Sequence, residues 1–183
     1  MVELWCKIPD FPDYSISNFG RARNDDTDRL LTQCVNRAGV AYIGPSRNGK
    51  QYSRAVTPLV ANAFLPPIEP PYRPDIFDTA INLDGNRTNN HVDNLMWRPL
   101  WFAVKYARQF HESKIDRDTL VVIMETGERL TSWEATLKYG LIHREIIRAA
   151  RTQRLENKQV WPTWQTFQLS FLTHTITHSN RGL

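Results

Sequence analysis

The spacing of hydrophobic and polar positions changes several times along the 183 residues. "YSISNFGRARN", Tyr14 to Asn24, alternates larger side chains with polar ones until Gly20 breaks the run, which predicts short strands and turns. "RAGVAYIGPSRNGKQYSRAV", Arg37 to Val56, predicts a hairpin, with Asn48-Gly49 as the turn between two strand-like segments. "LVANAF", Leu59 to Phe64, predicts a short helix closing this first module. "LPPIEPPYRPD", Leu65 to Asp75, then holds five of the eleven prolines. Proline fixes φ and biases the preceding residue to extended geometry, so a stiff connector is expected there.

The pattern resumes with a strand-like run from Phe77, a turn at Asp84-Gly85-Asn86, an asparagine-rich corner and "NLMW". "RPLWFAVKYARQFHE" predicts a helix with Pro99 in its first turn and with Trp101, Val104 and Ala107 or Arg108 at helical spacing. "ESKIDRD" is a polar linker. "LVVIMETGERL" predicts strand with a turn at Thr126-Gly127. "TSWEATLKYG" opens on a capping box of Thr131 and Glu134, turns Trp133, Leu137 and Ala135 inward, and ends at Gly140 in a left-handed position. "LIHREIIRAARTQR" follows as a second helix, with Ile142, Ile146 and Ala149 or Ala150 against the first. Two short helices around a glycine turn, the second rich in arginine, form a helix-turn-helix signature.

Composition narrows the class. Hydrophobic residues at 41% and aromatics at 11% are those of a folded chain. No apolar run reaches membrane-spanning length and no signal-peptide pattern follows Met1, so a cytoplasmic protein without membrane contact is expected. Cys6 and Cys34 are too few for a four-ligand zinc site and are expected to be reduced, largely buried thiols. The net charge of +4 leans toward an acidic partner. The basic residues concentrate late, at Arg144, Arg148, Arg151, Arg154 and Lys158 against Glu145 and Glu156. His174 and His178 lie four apart without an acidic neighbour and read as incidental.

Three stretches together resemble one family. "ELWCKIPDFPDYSISNFGRARN" is similar to the N-terminal modular motif of phage and intron-encoded HNH homing endonucleases, at Trp5, Ile8, Pro9, Tyr14, Ser17, Asn18, Gly20 and Arg21. "SRAVTPLVANAF" continues it, with Thr57 and Pro58 where the family commonly has histidine and arginine. "LDGNRTNNHVDNLMW" resembles the HNH core, and residues 120–154 resemble the appended helix-turn-helix. The resemblance runs from residue 3 to about 154, in the family's order.

That resemblance implies an α+β chain of small modules. An N-terminal β-rich module covers 1–64, the proline-rich connector 65–75, an HNH-like ββα-metal core 76–112, a linker 113–118 and a helix-turn-helix module 119–158. An aromatic and polar tail covers 159–183. Double-stranded DNA is the implied partner, bound by a monomer in the cytoplasm of a host cell, as for a phage-encoded protein. Arg21 and Arg23 would contact phosphates or base edges, as would Arg87, Arg98, Lys105 and Arg108 around the core. His143 and Arg144 would meet base edges at the start of the second helix, with Arg148, Arg151 and Arg154 on phosphates.

The chemistry is where the chain departs from the family. An HNH nuclease needs a histidine as general base and a divalent metal held by oxygen ligands. By resemblance the metal-binding acid falls at Ile81, the histidine at Asn82 and the helix ligand at Ala103, so the site reads as degenerate. Asn94 is retained, with the frame Asp84, Gly85, Asn86, Asn89, Asn90 and Trp97. Asp78, Asp84 and His91 are weak substitutes as metal ligands. Asp84 and His91 are expected to bond loop amides instead.

No cofactor is expected, unless an active nicking enzyme uses Mg²⁺ or Mn²⁺ through such other ligands. The leading expectation is a DNA-binding protein that acts by site occupancy without cutting. A nicking endonuclease is the second. The third is a protein-interaction module working through Trp161, Trp164, Phe167 and Phe171 of the tail.

Overall fold

The computed structural model describes residues 2–68, 74–151, 159–160 and 165–169, the last two segments as backbone. The chain divides into two compact units, Met1–Ser113 and Lys114–Leu183.

The first unit opens with a four-stranded antiparallel sheet of β1 (Trp5–Ile8), β2 (Phe11–Ser17), β3 (Ala22–Asn24) and β4 (Arg29–Leu30), in that order. Phe11 and Ile16 of β2 and Ala22 of β3 enter the core, the first two at opposite parity, with a register shift between β1 and β2 at Lys7–Ile8. Ser17 and Asn18 make the link from β2 to β3 a closed corner. The Ser17 hydroxyl accepts from the amide of Arg21 at 3.0 Å, and Asn18 Oδ1 accepts from the amide of Leu4 at 2.8 Å. Gly20 sits in that corner at φ +80°, where a Cβ would lie 2.9 Å from Asn90 Cβ, so only glycine fits.

Strands β5 (Cys34–Val35), β6 (Ala41–Ile43) and β9 (Arg54–Ala55) form a second sheet. Between β6 and β9 the predicted hairpin is present as β7 (Ser46–Arg47) and β8 (Lys50–Gln51), with Asn48 at φ 53° and Gly49 at φ 69°. Helix α1 (Val56–Phe64) buries Val56, Val60 and Ala61. Pro58 is its third residue, where the amide has no helical acceptor to lose.

The proline-rich connector does not separate two cores. β10 (Thr79–Asn82) pairs antiparallel with β11 (Leu95–Arg98), and both lie against α1. Leu95 belongs to the same buried cluster as Ile8, Phe11, Val56 and Val60, with Ala80, Val92 and Trp97 packed on it. The expected modules 1–64 and 76–112 are therefore one hydrophobic body.

Helix α2 (Leu100–Gln109) starts at Pro99, whose carbonyl accepts from the amides of Phe102 and Ala103 at 2.9 Å. Its inward face is Phe102, Tyr106 and Gln109, whereas Trp101 is 52% and Val104 45% exposed. The expected face is corrected by one residue. "LWFAV" is apolar all round, so spacing alone left two faces open, and the Tyr106 hydroxyl donating to the Leu83 carbonyl at 2.7 Å fixes the rotation.

The second unit carries an antiparallel sheet in the order β13 (Arg129–Thr131), β12 (Leu120–Ile123), β15 (Gln165–Leu169), β14 (Gln159–Val160). Leu169 and Phe167 register with Val121 and Ile123. Gln159–Val160 and Gln165–Leu169 thus add two strands to a sheet rather than beginning a separate tail. Trp161, Trp164, Phe171, His174, His178, Lys158 and Arg154 lie outside the described residues.

Helix α3 (Ser132–Tyr139) has the predicted capping box. Thr131 Oγ1 accepts from the Glu134 amide at 3.1 Å while Glu134 Oε2 accepts from the Thr131 amide at 2.8 Å. Gly140 closes the helix at φ 55°. Helix α4 (His143–Arg151) packs against it, and Ala135, Leu141, Ile146 and Ala150 form the core with Val121 and Ile123. Cys6 is half-buried and Cys34 exposed, which corrects the expectation of two largely buried thiols. No helix among the described residues is long and apolar enough to cross a membrane.

Candidate nucleic-acid interface

Ile81, Asn82 and Ala103 line one cleft of about 260 Å³, so the three departures fall at a single place. β10 delivers Ile81 and Asn82, both buried, and the first turns of α2 deliver Ala103. Thr57 and Pro58 of α1, Arg87 of the loop, and Leu100 and Val104 of α2 are among the other residues that line it. Apart from Arg87, this lining is neutral.

Asn82 is tied into its surroundings. Its Nδ2 donates to the Asn89 carbonyl at 2.8 Å and to Asn90 Oδ1 at 3.3 Å. An amide has no basic nitrogen, so this side chain cannot accept a proton from water at neutral pH. Ile81 and Ala103 present hydrocarbon. A hard divalent ion asks for several oxygen ligands, and the three positions together supply one amide oxygen. The donor set does not fit such an ion.

The frame is intact and fully bonded. Asp84 Oδ1 accepts from the amide of Asn86 at 2.8 Å and from Asn94 Nδ2 at 2.9 Å, while Oδ2 accepts from Asn89 Nδ2 at 2.7 Å. Asn94 Oδ1 in turn accepts from the Asp84 amide at 3.0 Å. Asp84 and the retained Asn94 therefore bond one another across the loop. His91 stacks on Phe19, with ring centroids 4.8 Å apart, and its Nδ1 accepts from the Asp93 amide at 3.2 Å. Both work as loop-bonding groups. Asp78 is exposed and accepts from its neighbour Thr79. Among the described residues no group of three or more His, Cys, Asp or Glu side chains is placed to hold a metal ion.

The expected DNA-contacting cations have varied settings. Arg21 is held by Glu3, and its guanidinium keeps the Glu3 carboxyl below its ordinary value. Arg23 bonds Asp25 at 3.2 Å and Asp28 at 3.1 Å and lies over the Trp5 ring. Arg98 is buried, with Nη1 on the Trp97 carbonyl at 2.8 Å, which corrects its reading as a surface contact. His143 is corrected too. It is 6% exposed and its Nε2 lies 2.8 Å from Ser132 Oγ, tying α4 to the start of α3.

The remaining cations are surface groups. Arg87, Lys105 and Arg108 are exposed, with Lys105 over the Trp101 ring at 5.2 Å. On α4, Arg144, Arg148 and Arg151 recur at helical spacing on the exposed face, opposite His143, Ile146 and Ala150. Arg148 pairs with Glu145 at 3.2 Å.

Several known proteins are similar to this chain. The NUMOD4 motif matches residues 3–44. The uncharacterized HNH endonuclease L245 of Acanthamoeba polyphaga mimivirus is 30% identical over 141 residues, 77% of this chain and 41% of the relative. L247 of the same virus is 26% identical over 138 residues, 73% of this chain and 33% of the relative. The H-N-H endonuclease F-TflII of Escherichia phage T5 is 31% identical over 97 residues, 52% of this chain and 47% of the relative. The chain thus spans less than half the length of each. A solved structure described as DNA binding and cleavage by the HNH homing endonuclease I-HmuI superposes with a TM-score of 0.50 at 20% identity. The match covers 92% of this chain and 98% of that one, a likeness of fold.

Proposed function

Because the chain belongs to the HNH homing endonuclease family, we propose that it is a sequence-preferring double-stranded DNA-binding protein that occupies its site without cutting it. The observation that carries this reading is the meeting of Ile81, Asn82 and Ala103 in one cleft inside an otherwise complete frame. Together the replacements remove two requirements of hydrolysis. Asn82 removes the base, and Ile81 and Ala103 remove oxygen ligands from the two sides of the cleft.

Binding needs none of these groups. It needs a rigid body that presents cations to phosphates and side chains to base edges. The Asp84–Asn94 loop and the shared core of the first unit support rigidity, and the arginine face of α4 supplies charge. The α3–α4 pair is read as a helix-turn-helix whose second helix lies along a groove. A protein of this kind acts as a regulator, or as a block to another DNA transaction.

Enrichment of random duplexes on the purified chain tests the reading. Retention of a related set of sequences, weakening as salt rises through counterion release, is the expected result. No retention of duplex at low salt contradicts it.

A further inference from the structure

Three cations of the first unit surround one aromatic ring and, among the described residues, have no carboxylate partner. Arg47 Cζ lies 5.5 Å, Lys50 Nζ 5.6 Å and Arg54 Cζ 5.5 Å from the centroid of Tyr52. Arg47 and Arg54 also lie 5.5 and 5.1 Å from the centroid of Phe11, which meets Tyr52 edge-on. Their polar bonds go to backbone carbonyls, from Arg47 Nη1 to Asp10 and from Arg54 Nη1 to Ser53, both at 3.0 Å. Among the described residues no carboxylate is within ion-pair distance of the three.

Rings and carboxylates hold a cation in different ways. A carboxylate cancels the charge, whereas a ring face orients the cation and leaves its full charge in place. Three like charges gathered without a counterion repel one another, and a polyanion relieves that repulsion. The contrast with Arg21 and Arg23 is direct, since Glu3, Asp25 and Asp28 already neutralise them.

The support beneath the cations is also fixed. Asn48 and Gly49 set the turn, the Tyr14 hydroxyl accepts from the Ser46 amide at 3.2 Å, and the Tyr52 amide donates to the Pro45 carbonyl at 2.9 Å. The hairpin therefore carries Arg47 and Lys50 on either side of a stiff tip, with Arg54 on the strand that follows.

We infer that Arg47, Lys50 and Arg54 form a phosphodiester-binding patch through which the first unit grips the backbone of duplex DNA. The inference rests on the DNA-binding reading and names residues of that function which the sequence did not single out.

Salt titration of duplex binding tests it. Each cation–phosphate contact contributes about 0.9 to the slope of log affinity against log salt. The Arg47→Gln, Lys50→Gln, Arg54→Gln variant is expected to lose roughly 2–3 from that slope, and Arg21→Gln with Arg23→Gln to lose less. Lys50→Gln alone, at an exposed turn, is expected to lose about 0.9 with an unchanged melting temperature, so the test survives if the triple variant fails to fold. Arg47→Lys with Arg54→Lys keeps the charges and is expected to keep the slope. Wild-type slopes in both the triple and the Lys50→Gln variants overturn the patch while leaving DNA binding in place. A wild-type chain that binds no duplex overturns the parent reading instead.

Discussion

The Thr57 hydroxyl donates to Asn90 Oδ1 at 2.7 Å, joining the first turn of α1 to the asparagine-rich corner after β10. The same oxygen takes Asn82 Nδ2 at 3.3 Å. One buried acceptor thus links Thr57 of α1 to Asn82 of β10. Asn90→Ala strands both donors and is expected to cost about 1–3 kcal/mol of stability, measured by urea unfolding. A loss below about half a kcal/mol would mean that the link carries no weight.

Two glycines are fixed by close approach as well as by φ. Gly85 lies at φ +76°, and a Cβ there would stand 2.5 Å from the Phe110 ring; Gly20 would meet Asn90. Gly39, at φ +77°, opens on empty space. Alanine at Gly39 is expected to cost about 1 kcal/mol from backbone strain alone. Alanine at Gly20 or Gly85 is expected to cost more, because strain and overlap add. Thermal unfolding of the three variants checks the order.

His143 is buried on α4 and Arg151 is exposed, so substitutions should separate their roles. His143→Ala removes a buried ring and its bond with Ser132, with an expected loss of about 1–3 kcal/mol. Arg151→Ala should change stability by no more than about 0.5 kcal/mol and weaken duplex binding. Melting curves beside a binding titration distinguish the two. Weaker binding by a fully folded His143→Ala protein would restore that ring as a DNA contact.

Acid should destabilise both units. Bonding to Arg21 holds Glu3 below its ordinary value, bonding to Lys138 and then Tyr139 does the same for Glu128, and the Thr131 amide and hydroxyl do so for Glu134. A carboxyl with a lowered folded value contributes stability that is complete above its unfolded value and is lost as pH falls through the folded one. Stability is therefore expected to be level near neutrality and to fall below the ordinary carboxylate range. Glu128→Gln should make the acid limb shallower in a pH series of melts.

The sequence made some features plain and hid others, for physical reasons. Turn chemistry was legible at Asn48-Gly49, at Gly20, at Asp84-Gly85 and in the Thr131 capping box, because these local rules depend on a few adjacent residues. The inward face of α2 was not, since Leu100 to Val104 is apolar on every side and only the Tyr106–Leu83 bond selects a rotation. The pairing of residues 165–169 with β12 is long-range and leaves no local mark. Charge was misread where partners lie far along the chain. Glu3 neutralises Arg21 across 18 positions, while Arg47, Lys50 and Arg54, beside a turn that was recognised, meet no carboxylate among the described residues. Ile81, Asn82 and Ala103 were singled out by family resemblance alone, and the fold brings them to one cleft.

Incubating supercoiled plasmid that carries the selected binding sequence with the purified chain and Mg²⁺ or Mn²⁺ tests the central claim most directly. An Ile81→Asp, Asn82→His, Ala103→Asn variant run alongside supplies the missing base and ligands. The account predicts that the wild-type chain binds the plasmid and leaves it supercoiled, while the variant introduces nicks that a chelator abolishes. Chelator-sensitive nicking by the wild-type chain itself would contradict it.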